Sequence, residues 1–494
     1  MAAAAVALLL IVASRYGYHR DELYFLAASH HMAWGYVDQP PFSVAFVWLS
    51  RVLFGDSLVG LRLFPALAMG VAVVVTGLMT RELGGDRFAQ SLVSLSLAVC
   101  PFLIAGHFAG PTVYDLLFWA LALWLVIRIL RTGATRLWLV VGLVAGIGLL
   151  NKETMLFLLF GLAVGLLVNR QWRTFASPWV WAGVGLALAI WSPVLIWEAR
   201  HGWPTLQMWG SLRREHSGLS ASLTFPLIEI LLAGVWALAM WTAGLWALLR
   251  EARWRAYRCL AIAFLVLLVL FWVFVGDRPY YVGPLFTVLL AAGAVVAAEV
   301  VEGRRRFFSA APPRRRLLWR SPRVALSFVV VFAAVLLPLS LPVLPPHVLA
   351  TVPLQKLNYN LGEEIGWPDF AATVAGAYFS LPAAERQITV IVTGNYGEAG
   401  AIDRYGPALG LPRAYSGHNN YWWWGPPRPS LGTAVFVGFW SKPYLESMFR
   451  SATLVAHIHD PEGVSNDEWG AGVWVCRGQK RPWPALWPQF KDYG

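Results

Sequence analysis

The stretch that decides the fold is RYGYHRDELYFLAASHHMAWGYVDQPP, residues 15–41, which directly follows the apolar run of residues 1–14. It places Asp21, Glu22 and Asp38 among aromatic and histidine side chains, in a chain with only 27 acidic residues out of 494. Carboxylates held in a polar, aromatic loop against a membrane surface suit chemistry on a substrate that is half lipid and half polar. This loop, residues 15–56, is the first candidate for a functional site.

The composition indicates a polytopic membrane protein. Hydrophobic residues make up 58% of the chain and charged residues 13%, and the apolar runs approach the roughly 20 residues that cross a bilayer as a helix. The runs lack the alternation of apolar and polar residues found in the strands of a membrane barrel. They must therefore form helices, which satisfy their own backbone hydrogen bonds in lipid. The first run lacks a basic leader and a cleavage site, which predicts an uncleaved span. We predict about eleven spans, at residues 1–14, 57–79, 88–106, 113–130, 136–151, 153–170, 178–197, 225–249, 259–276, 280–298 and 324–344.

The net charge of +12 lies mainly in short connections between these spans, so we expect a lipid bilayer as partner and no nucleic acid. By the positive-inside rule, the arginine-rich connections face the cytoplasm. The N-terminus is then cytoplasmic, and everything after residue 344 lies outside the cytoplasmic membrane. The arginine-rich connections contain Arg81 and Arg87; Arg128, Arg131 and Arg136; Arg170 and Arg173; Arg250, Arg253, Arg255 and Arg258; and the residues from Arg304 to Arg323.

The same alternation brings most of the unusual polar residues to the outer face, and each has two interpretations. Asp21 and Glu22 act in chemistry or are solvated loop charges, and their aromatic surroundings favour chemistry. Asp115, near the start of a span, binds substrate or only complements the helix dipole. His107 lies about one helical turn before Gly110 and Pro111, which precede this span. It binds substrate or is a hydrogen-bonded interfacial histidine.

The outer cations also have two interpretations. Lys152 lies in GIGLLNKETMLFLL between two spans with almost no gap, where an ammonium binds an anion such as phosphate or extends to the interface. Arg278 in GDRPYY has the same alternatives, with Asp277 beside it as a neutralising partner. Arg62, at the outer part of a span, is a reserve candidate for phosphate binding.

Residues 345–494 differ in composition and predict a small α/β domain over the outer face, with strands at 388–392, 433–439 and 472–476. The segment SGHNNYWWWGPP, residues 416–427, combines amides with aromatic rings, which suits sugar binding. Its tryptophans equally suit an interfacial aromatic belt. The glycine-rich residues 394–400 lack the spacing of a nucleotide-binding loop, and the three scattered cysteines support no disulfide framework.

The order of the motifs YGYHRDELYFLA, GYVDQPP, RLFPALAMG, GHFAGPTVYDLLFW, GLLNKETM, HGWPT, RPYY and GNYGEAGAIDRYG resembles the bacterial GT-C membrane glycosyltransferases. Within them, it is most similar to the branch of protein O-mannosyltransferases and the lipid A aminoarabinose transferase. The resemblance covers essentially the whole chain and implies a GT-C fold. It further implies transfer of a sugar from a polyprenyl-phosphate donor to a glycan, glycolipid or protein acceptor outside the cytoplasmic membrane, with inversion.

The resemblance carries the catalytic acid pair over to Asp21 and Glu22. Asp21 is expected to act as the base for the incoming hydroxyl, and Glu22 as its orienter or as a partner for the acceptor, while cations offset the leaving phosphate. Gln39 stands where the aminoarabinose branch has a lysine, so Lys152 or Arg278 is expected to bind the phosphate instead. A divalent cation at Asp21 and Glu22 is kept as an alternative. The remaining candidate substrate-binding residues are Tyr18, His19, Asp38, Gln39, His107, Asp115, Tyr281, His418, Asn419 and Asn420.

Two functions of other classes compete with catalysis. A transporter or flippase for a lipid-linked sugar predicts ionisable groups near the bilayer midplane and repeated halves, whereas the charges here lie at span ends and no internal repeat is found. A non-catalytic glycan-assembly subunit predicts that Asp21 is dispensable.

Overall fold

The computed structural model describes residues 1–215, 234, 237–274, 281–304, 321–352 and 354–494. Its first part is helical, because the apolar runs close their backbone hydrogen bonds within each segment. The helices of this part are α1 Ala2–Val12, α2 Arg20–Ser29, α3 Phe42–Phe54, α4 Leu58–Glu82, α5 Arg87–Ala98, α6 Pro111–Thr132, α7 Trp138–Leu149, α8 Thr154–Val168, α9 Pro178–Arg200, α10 Pro204–Glu215, α11 Leu238–Arg250, α12 Arg258–Phe274, α13 Phe286–Val301 and α14 Pro322–Ser340.

Among the described residues, six helical stretches are long and apolar enough to cross a membrane, and four apolar helices are shorter. The six are Leu58–Glu82, Pro111–Thr132, Pro178–Arg200, Ala252–Val273, Gly283–Val301 and Pro322–Ser340. Each predicted span overlaps a helix in the part of the chain that the structure describes. The chain is therefore a helical membrane protein, while the number eleven stays a prediction.

The arginine-rich connections predicted to share a side contact one another. The Trp254 ring N–H donates to the Leu83 carbonyl at 3.3 Å, and the Asn169 amide donates to the Arg255 carbonyl at 3.0 Å. Arg304 lies 3.3 Å from Asp86 in the connection after α4. These connections form one face of the helical part, opposite to the face that carries α2.

The segment expected to be a polar loop, residues 15–56, instead contains two helices, and that expectation is wrong in this respect. Helix α2 begins with a capping box, in which the His19 ring accepts from a backbone N–H and Glu22 accepts from the His19 N–H. Helix α3 is amphipathic: it buries Val44 and Val47 and exposes Trp48 and Val52. A helix with one exposed apolar face suits the membrane interface.

Residues 354–494 form a mixed α/β unit on the side of α2. Its sheet has the order β2-β1-β3-β5-β4, in which the first three strands are parallel and the last two pairings are antiparallel. The elements are α15 Trp367–Phe379, β1 Thr389–Thr393, α16 Tyr396–Tyr405, β2 Ala414–Ser416, β3 Thr433–Gly438, α17 Lys442–Met448, β4 Phe449–His457 and β5 Gly472–Gln479.

The three predicted strands correspond to β1, β3 and β5. The pattern did not identify β2, which has only three residues, or β4, a largely exposed edge strand. The boundary at residues 344 and 345 between the two predicted parts stays a prediction.

Helix α2 shares an apolar core with the α/β unit, here called the docking core. Leu23, Tyr24 and Ala28 of α2 pack in one buried cluster with Phe370 of α15 and Ile402 of α16. Helix α16 approaches α2 closely, because a Cβ on Gly400 would lie 2.7 Å from the backbone carbon of Leu23. The docking core fixes the α/β unit against the segment that carries the candidate carboxylates.

Candidate active site

The two adjacent acids at the start of α2 have different surroundings. The Glu22 side chain is fully buried, whereas the Asp21 side chain is 36% exposed. His19 caps the helix: its Nδ1 accepts from the Asp21 N–H at 3.1 Å, and its Nε2 donates to Asn360 Oδ1 at 3.2 Å. The neutral ring is consistent with burial, which lowers the pKa of His19.

Glu22 lies inside a buried ion-pair network. Its Oε1 accepts from Arg62 Nε at 3.0 Å and from the Ala109 N–H at 2.8 Å. Its Oε2 accepts from Arg62 Nη2 at 2.7 Å and from the His19 N–H at 2.9 Å. With both oxygens engaged, Glu22 holds the helix start rather than facing an open site.

Arg62 and His107 belong to the same network, which residues after the last span complete. Arg62 also donates to the carbonyls of Ala13 and Gly17, each at 2.9 Å, so all three guanidinium nitrogens are bonded. Glu364 Oε2 lies 3.1 Å from Arg62 Nη2 and 3.1 Å from His107 Nε2. Burial opposes ionisation of Glu364, but His107 and Arg62 outweigh it and lower its pKa to about 2.

Asp21 contacts the α/β unit directly. The Tyr396 hydroxyl donates to Asp21 Oδ1 at 2.9 Å, and the Tyr24 hydroxyl donates to Asp38 Oδ1 at 2.8 Å. The rings of Tyr24 and Tyr396 pack with centroids 4.8 Å apart. Burial and the charge of Asp21 raise the pKa of Tyr396, so its phenol remains protonated and donates. Two carboxylates are thus held by a pair of contacting phenols.

Two further candidate ligands, Lys152 and Asp115, lie at the starts of α8 and α6. The Lys152 ammonium, before α8, is 4.6 Å from the centroid of the Tyr281 ring, a distance typical of a cation–π contact. Asp115 in α6 is buried and accepts from Thr154 Oγ1 at 2.8 Å. Arg278 lies outside the described residues.

The other predicted ligands serve mainly as contacts between segments. Asn420 Oδ1 accepts from the buried Val37 N–H at 2.6 Å, and Asn419 donates its N–H to the Asp492 carbonyl at 2.9 Å. The Tyr18 hydroxyl donates to the Asp56 carbonyl at 2.6 Å. The ring of His418 packs 4.7 Å from that of Tyr396.

Gln39 is 2% exposed and accepts from Ser43 Oγ at 3.2 Å, while its Nε2 has no hydrogen-bond partner among the described residues. The buried amide therefore has a donor available at the position where the resemblance expects a lysine.

The three consecutive tryptophans pack on protein. Trp424 stacks on His31 with centroids 4.4 Å apart, Trp423 meets His201 edge-on at 4.9 Å, and Trp422 packs against the sheet. Two of them thus join the α/β unit to two different connections of the helical part, after α2 and after α9.

Metal binding by the acid pair is not favoured by this arrangement, because both oxygens of Glu22 already accept two hydrogen bonds. Over the described ranges, no group of three or more histidine, cysteine or acidic side chains is placed to hold a metal ion.

Sequence reasoning missed Tyr24, Tyr396 and Glu364. Tyr24 follows Asp21 by three positions, which places both on one face of a helix. Tyr396 follows Asn395, which forms a capping box with Glu398. The pair Glu363 and Glu364 is an acidic signal in a chain poor in acids, but its partners are distant in sequence.

The comparison with solved structures decides the fold. The ArnT crystal structure from Cupriavidus metallidurans bound to undecaprenyl phosphate matches with a TM-score of 0.59 and 17% identity, covering 96% of each chain. The chain has the GT-C fold of ArnT. The apo ArnT structure matches with a TM-score of 0.57 and the same coverage.

Sequence comparison agrees with the ArnT fold. The family model described as dolichyl-phosphate-mannose-protein mannosyltransferase matches residues 38–197, which contain Asp38, Arg62, His107, Asp115 and Lys152. The undecaprenyl phosphate-alpha-4-amino-4-deoxy-L-arabinose arabinosyl transferase 1 of Pseudomonas fluorescens Pf-5 is 30% identical over 33% of this chain and 31% of its own length. The protein of the same name from P. fluorescens Pf0-1 is 29% identical over 55% of this chain and 50% of its own length. The chain thus spans about a third to a half of the length of these relatives.

Proposed function

We propose that the chain is an integral membrane glycosyltransferase that moves a sugar from a polyprenyl-phosphate donor to an acceptor hydroxyl. The observation that carries this proposal is the pairing of a partly exposed carboxylate, Asp21, with a buried ion-pair network behind it. The ArnT fold and the sequence relatives support a lipid-linked donor. The expected acceptor is a glycan, glycolipid or protein outside the cytoplasmic membrane.

The proposed orientation follows from the distribution of arginines. The connections that carry them share one face, which is assigned to the cytoplasm, so α2 and the α/β unit lie outside. The N-terminus is then cytoplasmic in the cytoplasmic membrane.

Asp21 is assigned as the base. The acceptor oxygen attacks the anomeric carbon, its proton passes to the Asp21 carboxylate, and the bond from that carbon to the phosphate oxygen breaks. The electron pair leaves with the polyprenyl phosphate, so attack from the opposite side inverts the anomeric centre. A positioned base typically contributes about 10²- to 10⁴-fold.

The hydrogen bonds of Arg62 support a different division of roles among the cations. Arg62 is buried and fully bonded, so we assign it to positioning α2 rather than to phosphate binding. Lys152, beside Tyr281, remains assigned to binding the leaving phosphate. Arg278 precedes Tyr281 by three positions in the sequence and stays a proposed ligand.

The test is sugar transfer from a radiolabelled synthetic polyprenyl-phosphate hexose in proteoliposomes. Asp21→Asn should lose transfer by about 10²-fold or more and still bind the carrier. Asp56→Asn removes a carboxylate from the same outer segment, where it pairs with Arg51, and should keep its activity. Lys152→Gln should weaken binding of the carrier phosphate.

Normal transfer by Asp21→Asn would refute the assignment of the base. If the native chain released no sugar from any carrier tested, transport of a lipid-linked sugar and a non-catalytic assembly role would replace this proposal.

A further inference from the structure

Tyr396 belongs to the α/β unit, yet its hydroxyl lies 2.9 Å from Asp21 Oδ1 at the start of α2. We propose that Tyr396 is a positioning residue for Asp21, through which the α/β unit sets the orientation of the base. This inference rests on the proposed function, because it presumes that Asp21 accepts a proton from the acceptor hydroxyl.

The backbone around Tyr396 is fixed by local structure. Asn395 and Glu398 form a capping box at the start of α16, in which Glu398 also accepts from the Gly394 N–H at 2.6 Å. Glu398 is fully buried. Tyr396, the first residue of the helix, therefore has little freedom to move relative to α16.

Helix α16 is in turn held against α2 at two glycines. A Cβ on Gly397 would lie 2.2 Å from Arg20 Cγ, and one on Gly400 would lie 2.7 Å from the backbone of Leu23. These close approaches bring the first turn of α16 beside the first turn of α2. The glycine-rich residues 394–400 thus have a role in packing.

The phenol of Tyr396 can orient Asp21 by hydrogen bonding. The Arg20 Nε atom is 3.9 Å from Asp21 Oδ1, too far for a hydrogen bond, so the phenol is the closer donor to that oxygen. A donor fixed on Oδ1 sets the plane of the carboxylate and leaves Oδ2 for the incoming hydroxyl. A base held in one orientation reacts faster than one that samples several.

The same ring also affects the second carboxylate. It packs on Tyr24, whose hydroxyl donates to Asp38, so displacement of Tyr396 would disturb both acids. The ring of His418 packs on it as well, with centroids 4.7 Å apart. Removing only the hydroxyl keeps these ring contacts and isolates the hydrogen bond to Asp21.

The experiment compares Tyr396→Phe with Tyr378→Phe in the full chain. Tyr378 is a matched control, because its hydroxyl donates to the Arg386 carbonyl at 3.1 Å within the α/β unit and away from Asp21. Both variants lose one hydrogen-bonded hydroxyl. The measurements are kcat, KM for the polyprenyl-phosphate hexose, and the melting temperature.

Tyr396→Phe should lower kcat by about 10-fold or more and leave KM within about twofold, since hydrogen bonds to charged groups contribute factors of this size. The loss should fall on kcat rather than on KM, because the hydroxyl contacts Asp21. Tyr378→Phe should match the native chain in kcat. A merely structural role would lower the melting temperature and leave kcat per folded molecule unchanged.

The outcomes separate this inference from the proposed function. If the native chain transfers sugar and Tyr396→Phe equals it in kcat, the inference falls and the proposed function stands. If the native chain transfers nothing, both fall. In the Asp21→Asn background, adding Tyr396→Phe should cause no further loss, and an additive loss would contradict action through Asp21.

Discussion

Replacing each of the two adjacent acids by its amide should separate chemistry from structure. Asp21→Asn and Glu22→Gln each remove one negative charge and add one NH₂ group at neighbouring positions. Asp21 is partly exposed, and an asparagine there can still accept from the Tyr396 hydroxyl. Glu22 is buried with four donors around its two oxygens.

The geometry at Glu22 leaves glutamine no good orientation. Each oxygen accepts two bonds, one from Arg62 and one from a backbone N–H, so the NH₂ group faces two donors in either orientation. Two hydrogen bonds, one of them to a charged group, are lost, and Arg62 keeps only Glu364 as an acidic partner in the described structure. Breaking a buried ion pair costs about 3 to 5 kcal/mol, whereas a change at a partly exposed position usually costs about 0.5 kcal/mol or less.

Thermal unfolding in detergent, followed by intrinsic tryptophan fluorescence, measures this contrast. The unfolding entropy of about 2.1 cal/mol/K per residue gives roughly 1 kcal/mol/K for 494 residues. Glu22→Gln should therefore melt about 4 °C below the native chain if the whole chain unfolds together, and further below if only the outer part does. Asp21→Asn should melt within about 1 °C of the native chain. Equal melting temperatures for the two variants, with activity lost in both, would refute the structural role of Glu22.

Two further predictions concern the α/β unit. Gly400→Ala should lower the free energy of unfolding by about 1 to 3 kcal/mol and reduce transfer, because its Cβ would contact the α2 backbone. Gly376→Ala is the control: its Cβ would enter open space in α15 and should raise the free energy of unfolding by about 0.5 to 1 kcal/mol. Denaturation and transfer assays check both variants. Burial raises the pKa of Glu363 to about 7, so the folded state holds this proton more tightly than the unfolded chain. The resulting stabilisation is complete below about pH 4.5 and lost as the pH rises through 7, by up to about 3 kcal/mol. Glu363→Gln should remove this decline in stability between pH 5 and 8, whereas the control Glu462→Gln, at an exposed position, should keep it. An unchanged decline in Glu363→Gln would contradict its attribution to Glu363.

The membrane helices could be predicted from sequence because their requirement is local. A helix in lipid needs a long apolar run, and such a run is visible without knowledge of its neighbours. Helix α2 was missed because its capping box uses the histidine ring of His19 in place of the usual serine or threonine. The short apolar run of this segment, with charged residues on both sides, also favoured the prediction of a loop.

The division of roles within the acid pair could not be predicted, because it depends on distant residues. Glu22 is buried by Arg62, 40 positions later, and the network is completed by Glu364 after the last described span. Tyr396 lies 375 positions from Asp21. The sequence of residues 395–398 contains the capping signal of α16, but no local pattern specifies which helix α16 contacts.

The contact between Tyr396 and Asp21 also has a consequence for the time course of biosynthesis. At about 5 to 20 residues per second, a ribosome needs roughly 20 to 75 seconds to add the 375 residues that separate them. During that interval, α2 lacks Glu364, Tyr396 and the docking core. With the proposed function, a nascent chain already inserted in the membrane would therefore leave the lipid-linked donor intact, and turnover would begin only when the last third of the chain has folded onto α2.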